Sequence, residues 1–521
     1  MSPLKISLSI YLLKTTAHSD IQKLFDSLRT TQLTNGLDGQ FISFPSPSKE
    51  PTWFRAVREH LPIPVTYNIR GQVPAGMILL HRAGRQFVIT FGHAWQYLEI
   101  PWLEPDFGRT VALGAIPPNK VLEVNAEQVF AKNHSAKERA PRATSIREFG
   151  VESDRDLVGA VEGEPFDPAF GSVLRGATSL RLKIYINTVG IVLDKSLKLF
   201  ASTSYRSKYP DIDNLVSVSD PNVIDLLDKA LEKDILSGKT KTDAVLFAPS
   251  FRRGDAPSAD GFVFGRRAGS IAIAPYLSYS SWERHLLKSR LTPTLALAKA
   301  TAVHMIDAAG DTFESRNVYE CLGYEVTYGG KQYILSSGVW YAADSQFVLA
   351  IDKVLKNIAS PKFKLPNWNE TDNEGEYNES CCIKGSGRLH FDKNIIHFGP
   401  PQSKFEFCDF MDPKNKILFF AKIPSKSAGC SHLVEQVSRT VELLYSSDNG
   451  FRMKLKKAIA KTYPGTSTSW LDTRPKPGDW AMCLVALGRK REDLPLFAKC
   501  SVAKLSKTLD RGGHPVIYAA V

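Results

Sequence analysis

Near the N-terminus, Ile6, Leu8, Ile10 and Leu12 alternate with Ser7, Ser9 and Tyr11, a period of two that predicts a strand with one apolar face. Behind Ser19 and Asp20, the apolar residues Ile21, Leu24, Phe25 and Leu28 recur at helical spacing, so a capped helix lying on a sheet is expected. Strand-like runs follow at 76–92, 109–116 and 178–200, and residues 221–236 return to a helical period. Residues 324–344 read as two strands about a Gly329-Gly330 turn, followed by a helix from Ser345. The stretch at 131–150 is charged and turn-rich, an exposed excursion that is either a loop or a basic contact element. By composition, 249–261 is a loop.

From residue 374 the pattern becomes denser. EGEYNESCC predicts a short helix, while RLHFDKNIIHF, KFEFCDFMD and KILFFAKI predict three strands, the last two joined by a Met-Asp-Pro-Lys-Asn-Lys turn. SHLVEQVSRTVELLYS then reads as a helix with Ser431 as N-cap. A strand over 479–487, a helix after Lys499 and a closing strand in HPVIYAAV complete the chain. The fold class is therefore α+β. A chain of 521 residues splits into roughly two to four domains, placed here at 1–240 (α+β, a recognition role), 241–365 (α+β) and 366–521.

Composition narrows the partners. The formal net charge is +12, and the last hundred residues hold 17 Lys and Arg against 8 Asp and Glu, so most of the excess is C-terminal. A basic balance of this kind favours polyanions. In FRMKLKKAIAK, Lys454, Lys457 and Lys461 share one helical stripe opposite Leu455 and Ile459, a surface suited either to water or to phosphates. Arg489, Lys490 and Arg491 add a second basic cluster. The seven cysteines show no zinc spacing and point to a reducing compartment, which places the protein in the cytoplasm. No apolar run approaches the roughly 18–20 residues a membrane-spanning helix needs.

Carboxylates are depleted from strands, yet Glu406 and Asp409 sit in or beside them and Lys422 ends the next. The C-terminal element order resembles the core of the PD-(D/E)xK nuclease superfamily, which implies a restriction-endonuclease-like α/β core over 366–521. By that resemblance Asp409 is the ligand aspartate, Lys422 the lysine and Glu376 the upstream glutamate, with Asp392 and Glu406 as auxiliary acids. Hard carboxylate oxygens of this kind would hold Mg²⁺, which lowers the pKa of its water while the lysine offsets phosphate charge. Phe420 occupies the position two before the lysine, where the superfamily has an acid. On the next helix His432, Glu435, Gln436 and Arg439 share one face, and Glu435 is a candidate replacement ligand beside Asp409 and Glu376.

Several phrases, in order, carry a wider resemblance: SIYLLK, FVITFGHAWQYL, EPDFGRTVAL, YILSSGVWYAADSQFV, EGEYN, KFEFCD, SHLVEQ and LPLFAKCSV. Together they resemble a sporadically distributed, uncharacterised bacterial family encountered near restriction and phage-defence genes. In that family's pattern a histidine stands two residues before the lysine, where this chain has Phe420, whereas Asp409, Lys422, Ser431, His432 and Gln436 are kept. The resemblance implies a nucleic-acid-acting defence protein, a metal-dependent or degenerate nuclease with DNA favoured over RNA. The alternative is a non-catalytic DNA- or RNA-binding subunit, or one that docks a defence-system partner protein. Trp340 and Tyr341 are either core residues or a platform for a base.

Overall fold

The computed structural model describes residues 4–28, 30–33, 37–44, 74–128, 135–149, 156–209, 212–238, 245–246, 259–265, 273–307, 312–383, 385–391, 395–397, 404–424 and 427–521. Asp392 and most of the 249–261 loop lie outside them. Two compact units emerge, the first running to Asp344 and the second comprising Ser345–Val521. The boundary expected near residue 240 falls inside the first unit. There Leu215–Ser217 pairs with Val339–Ala343, and the helix Pro221–Leu236 buries Leu227, Leu231 and Ile235 in one cluster with Trp282 and Trp340.

The first unit is built on a ten-stranded sheet. Its order is Thr30–Gln32, Gly39–Phe44, Ala75–Arg82, Arg85–Phe91, Lys5–Leu12, Leu180–Tyr185, Leu174–Gly176, Asp156–Gly163, Val121–Gln128 and Ser135–Thr144. Every pairing is antiparallel. The N-terminal alternation does what its period predicts: Leu8, Ile10 and Leu12 enter one core. The charged stretch expected as an excursion instead supplies the edge strand Ser135–Thr144, whose Lys137, Arg139 and Pro141 suit an edge that resists further pairing.

Two apolar runs expected as strands are helices. Phe107–Ala115 is buried along its whole length, so its hydrophobic residues show no single face and mimic a buried strand. Val189–Phe200 follows the strand Leu180–Tyr185 after one short turn. The first of these helices approaches the sheet closely, because a Cβ on Gly176 would stand 1.9 Å from the Gly108 carbonyl oxygen and one on Gly108 would stand 2.1 Å from that of Ser179.

The remainder of the first unit carries a five-stranded sheet, Leu215–Ser217, Val339–Ala343, Lys331–Ser336, Leu322–Tyr328 and Val245–Leu246, and a three-stranded one, Gly261–Phe264, Ala302–Ile306 and Thr312–Asn317. Trp340 and Tyr341 are buried, so they are core residues. Asp228 organises this region: its carboxylate accepts from the Tyr319 hydroxyl at 2.8 Å, the Trp340 indole at 2.9 Å and Lys299 Nζ at 2.6 Å.

The second unit holds a mixed sheet in the order Leu389–His390, Phe410–Asp412, Ile417–Lys422, Ala481–Ala486 and Val516–Ala520. Its first two pairings are antiparallel and its last two parallel. Parallel pairs need long crossovers; helices Ser427–Leu444 and Gly450–Thr462 supply one and Leu496–Arg511 the other. Two of the three expected strands are broken, leaving Ile395–His397 and Lys404–Glu406 as a separate ribbon. Ser431 lies within the helix, which starts four residues earlier than expected. Among the described residues no helix is long and apolar enough to cross a membrane.

Gly176→Ala is expected to destabilise the first unit by about 2 kcal/mol or more through overpacking. Gly84→Asn, at a turn with φ of 72° and no neighbour within 4 Å, should cost far less. Urea midpoints followed by tryptophan fluorescence check both.

Candidate functional site

At the end of the Ile417–Lys422 strand, one carboxylate holds the Ala421 amide and another the Lys422 ammonium. The chain leaves the sheet just before Phe410–Asp412, so the Ala421 N–H has no carbonyl opposite it. The buried Asp409 fills that place: its Oδ2 accepts from Ala421 N at 2.5 Å, and its own N–H donates to Phe419 O at 3.0 Å. Here the side chain substitutes for a main-chain acceptor.

The second carboxylate comes from Glu374, the first residue of the Glu374–Cys381 helix. Its Oε2 accepts from Lys422 Nζ at 2.5 Å and its Oε1 from the Ile423 amide at 3.0 Å. Lys422 and Glu374 keep 30% and 31% of their side-chain exposure, so the pair is open to solvent at one side. Glu376, the expected upstream glutamate, is instead spent on a capping box: it accepts from the Asn373 N–H at 2.8 Å while Asn373 caps the Glu376 N–H. One turn after Glu374, Asn378 is 1% exposed and its Oδ1 has no hydrogen-bond partner among the described residues. Glu374 and Asn378 were legible as an i, i+4 pair in EGEYN, but spacing alone did not separate them from Glu376.

Phe420 is fully buried, facing Leu484 on the parallel neighbour. Glu406 lies in the separate ribbon, and Asp409 in the connection between that ribbon and Phe410–Asp412. On the helix, Glu435 is exposed, and Gln436 Nε2 reaches the Glu406 carbonyl at 3.5 Å. The side chains of Ser431 and His432 lie outside the described residues.

A magnesium centre needs several oxygen ligands arranged about one point. Among the described residues no three His, Cys, Asp or Glu side chains are grouped so as to hold a metal. Both oxygens of Glu374 are already taken by Lys422 and Ile423, and one of Asp409 by Ala421. Among the described residues Asp409, Glu376 and Glu435 are not brought together as a metal-holding group.

The basic residues divide by role. Lys454, Lys457 and Lys461 are exposed on one stripe of Gly450–Thr462, whose Phe451, Leu455 and Ile459 are buried. Lys490 is exposed as well. Arg491 is structural: its guanidinium donates to the carbonyls of Leu355 at 2.9 Å and Ile358 at 2.7 Å and to Ser360 Oγ at 3.0 Å. Arg489 donates to Asp493 O at 3.4 Å.

Elsewhere buried charge serves architecture. Arg109, in the EPDFGRTVAL phrase, lies near Asp106 at 3.4 Å and Asp213 at 3.3 Å. Burial lowers its pKa, but those two carboxylates outweigh the effect and hold it above the ordinary value. Burial pushes the Cys408 and Cys321 thiols well up and Cys382 to about 12, so none of the three is an activated nucleophile.

With this geometry described, the family follows: the chain belongs to DUF6119, a family of unknown function whose model matches residues 8–521. No curated protein and no solved structure matches the chain.

Glu374→Ala is expected to cost about 1 kcal/mol, discounted for the exposure of the pair. Glu376→Gln should be nearly neutral because glutamine still completes the capping box. Thermal midpoints of the two variants check the assignment.

Proposed function

We propose that the protein is a nucleic-acid-binding member of the restriction-endonuclease-like class with a degenerate hydrolytic centre, acting in a defence setting. The second unit's order of helix, three antiparallel strands, crossover helix and parallel strand supports the class. Phe420 carries the reading. By the superfamily resemblance a hydrolytic site would need a further oxygen donor at position 420, where this chain has a buried phenyl ring, while both oxygens of Glu374 already accept hydrogen bonds, one of them from the lysine it would otherwise work beside.

Loss of hydrolysis leaves a surface. Lys454, Lys457 and Lys461 are exposed on a helix whose Phe451, Leu455 and Ile459 are buried, so bringing their charge to a phosphate costs little desolvation. Contacts of this type release counterions and make affinity fall with salt.

Duplex DNA binding measured against salt tests the reading. Reversing Lys454, Lys457 and Lys461 to glutamate should lower the slope of log K against log salt by roughly 2–3, about 0.9 per contact. Incubation with Mg²⁺ or Mn²⁺ should give no cutting. Metal-dependent cleavage that Asp409→Ala abolishes would restore the hydrolase, and an unchanged slope would remove the helix from the interface.

A further inference from the structure

One face of the ten-stranded sheet carries a second apolar core at Tyr11, Val88, Leu79, Met77 and Ile42, and beyond Tyr11 the same face becomes polar. Cross-strand partners share a face, and the pairs Ile6–Ile184, Leu8–Leu182 and Ile10–Leu180 point from the opposite face into the first core. Their neighbours in the same two strands point the other way: Lys5 opposite Tyr185, Ser7 opposite Lys183, and Ser9 opposite Arg181. Lys5, Ser7, Lys183 and Tyr185 are all exposed there. The row through Arg181 continues to Arg175, then to Glu162 and Glu123, and reaches Arg139 on the edge strand.

One feature separates this face from an ordinary wetted sheet. Lys5–Leu12 and Leu180–Tyr185 lie inside the strand order, but Lys5–Leu8 and Lys183–Tyr185 have a paired neighbour on one side only, where a charged residue also guards against unwanted pairing. The distinguishing feature is that every charged residue of these two strands is basic. A solvent-facing sheet calls for polar side chains, not for a single sign of charge beside an exposed aromatic ring. Lys5 Nζ stands 5.3 Å from the centroid of the Tyr185 ring, which sets a phosphate-neutralising group against a stacking surface.

We infer that this face binds single-stranded nucleic acid, with Tyr185 stacking on a base and Lys5 and Lys183 neutralising the adjoining phosphates. An unpaired strand offers its bases to an aromatic platform and its backbone to a basic track; a duplex keeps its base faces stacked. The Glu162 and Glu123 carboxylates do not oppose this, since Arg175 lies against Glu123 in an ion pair and 3.9 Å from Glu162. The inference rests on the nucleic-acid reading above but is carried by residues of the other unit.

Fluorescence anisotropy of the full chain with a labelled oligo-dT and with a duplex of equal length tests it. Lys5→Glu with Lys183→Glu should weaken the single strand roughly tenfold or more and lower its salt slope by about 1.4, at 0.7 per contact. Tyr185→Ala should weaken it about fivefold or more, and Tyr185→Phe should not. Lys5→Gln with Lys183→Gln, a milder pair, should move in the same direction, and circular dichroism checks that each variant is folded. Lys229→Glu with Lys288→Glu, an equal charge change at exposed lysines on helices and not on this sheet, should leave oligo-dT binding unchanged, and the helix variants Lys454→Glu, Lys457→Glu and Lys461→Glu are measured beside them. The inference is overturned if the sheet variants bind oligo-dT like the unaltered chain, if only the helix variants lose it, or if poly-glutamate competes as well as oligo-dT. Loss in the sheet variants with unchanged duplex binding in the helix variants would sustain this inference and remove the preceding proposal.

Discussion

The strand Ile417–Lys422 is the constraint on which the second unit is organised. It is held antiparallel by Phe410–Asp412 and parallel by Ala481–Ala486, so both of its backbone edges are committed. Its alternate residues serve two apolar environments: Phe419 stacks on Phe410 with centroids 4.4 Å apart, while Leu418 and Phe420 are buried from the other side. Only its last residue escapes to solvent. A lysine there, on a strand that cannot move without breaking two ladders, is positioned by the sheet and not by its own flexible stem.

That placement explains why the two carboxylates that hold this strand end are different in kind. Asp409 is a piece of backbone architecture, an acceptor for an N–H stranded where the neighbouring chain departs. Glu374 holds the strand's end to the first turn of a helix, taking a side-chain amine and a main-chain amide together. Neither role needs a metal. A group of Asp, Glu and Lys at one strand end is therefore accounted for by its structural roles. The first unit follows the same economy, burying Asp228 and Arg109 only where several donors or opposite charges surround them.

Much of this was legible without coordinates. The alternation in Lys5–Leu12, the period of Pro221–Leu236, the glycine turn before Lys331 and the helix from Ser345 are local signals, each stated within a dozen or so residues. Asp409 and Lys422 could be singled out because charge is unusual beside so many phenylalanines. The helices Phe107–Ala115 and Val189–Phe200 escape the local signal for different reasons. One is buried all round and lacks the amphipathic contrast from which period is judged; the other buries Val189, Val192, Leu193 and Ser196 at helical spacing, but its apolar start follows the strand Leu180–Tyr185 so closely that it reads as a continuation. Glu376 is the glutamate the superfamily resemblance implies, but Glu374 lies in the same helical turn, and which of them meets the strand depends on how the helix docks.

By itself, then, the amino-acid order determined the element types wherever one face met water, the basic excess of the last hundred residues, and the chemical kinds of group gathered near Lys422. Tertiary structure alone decided which glutamate meets the lysine, that Arg491 is a brace, that the edge of the large sheet is the charged segment at Ser135–Thr144, and that the chain divides at Asp344 rather than near residue 240. The reason is one of range. Propensity and periodicity act between neighbours a few residues apart, whereas these decisions belong to pairings across tens to hundreds of residues, whose geometry no local pattern encodes.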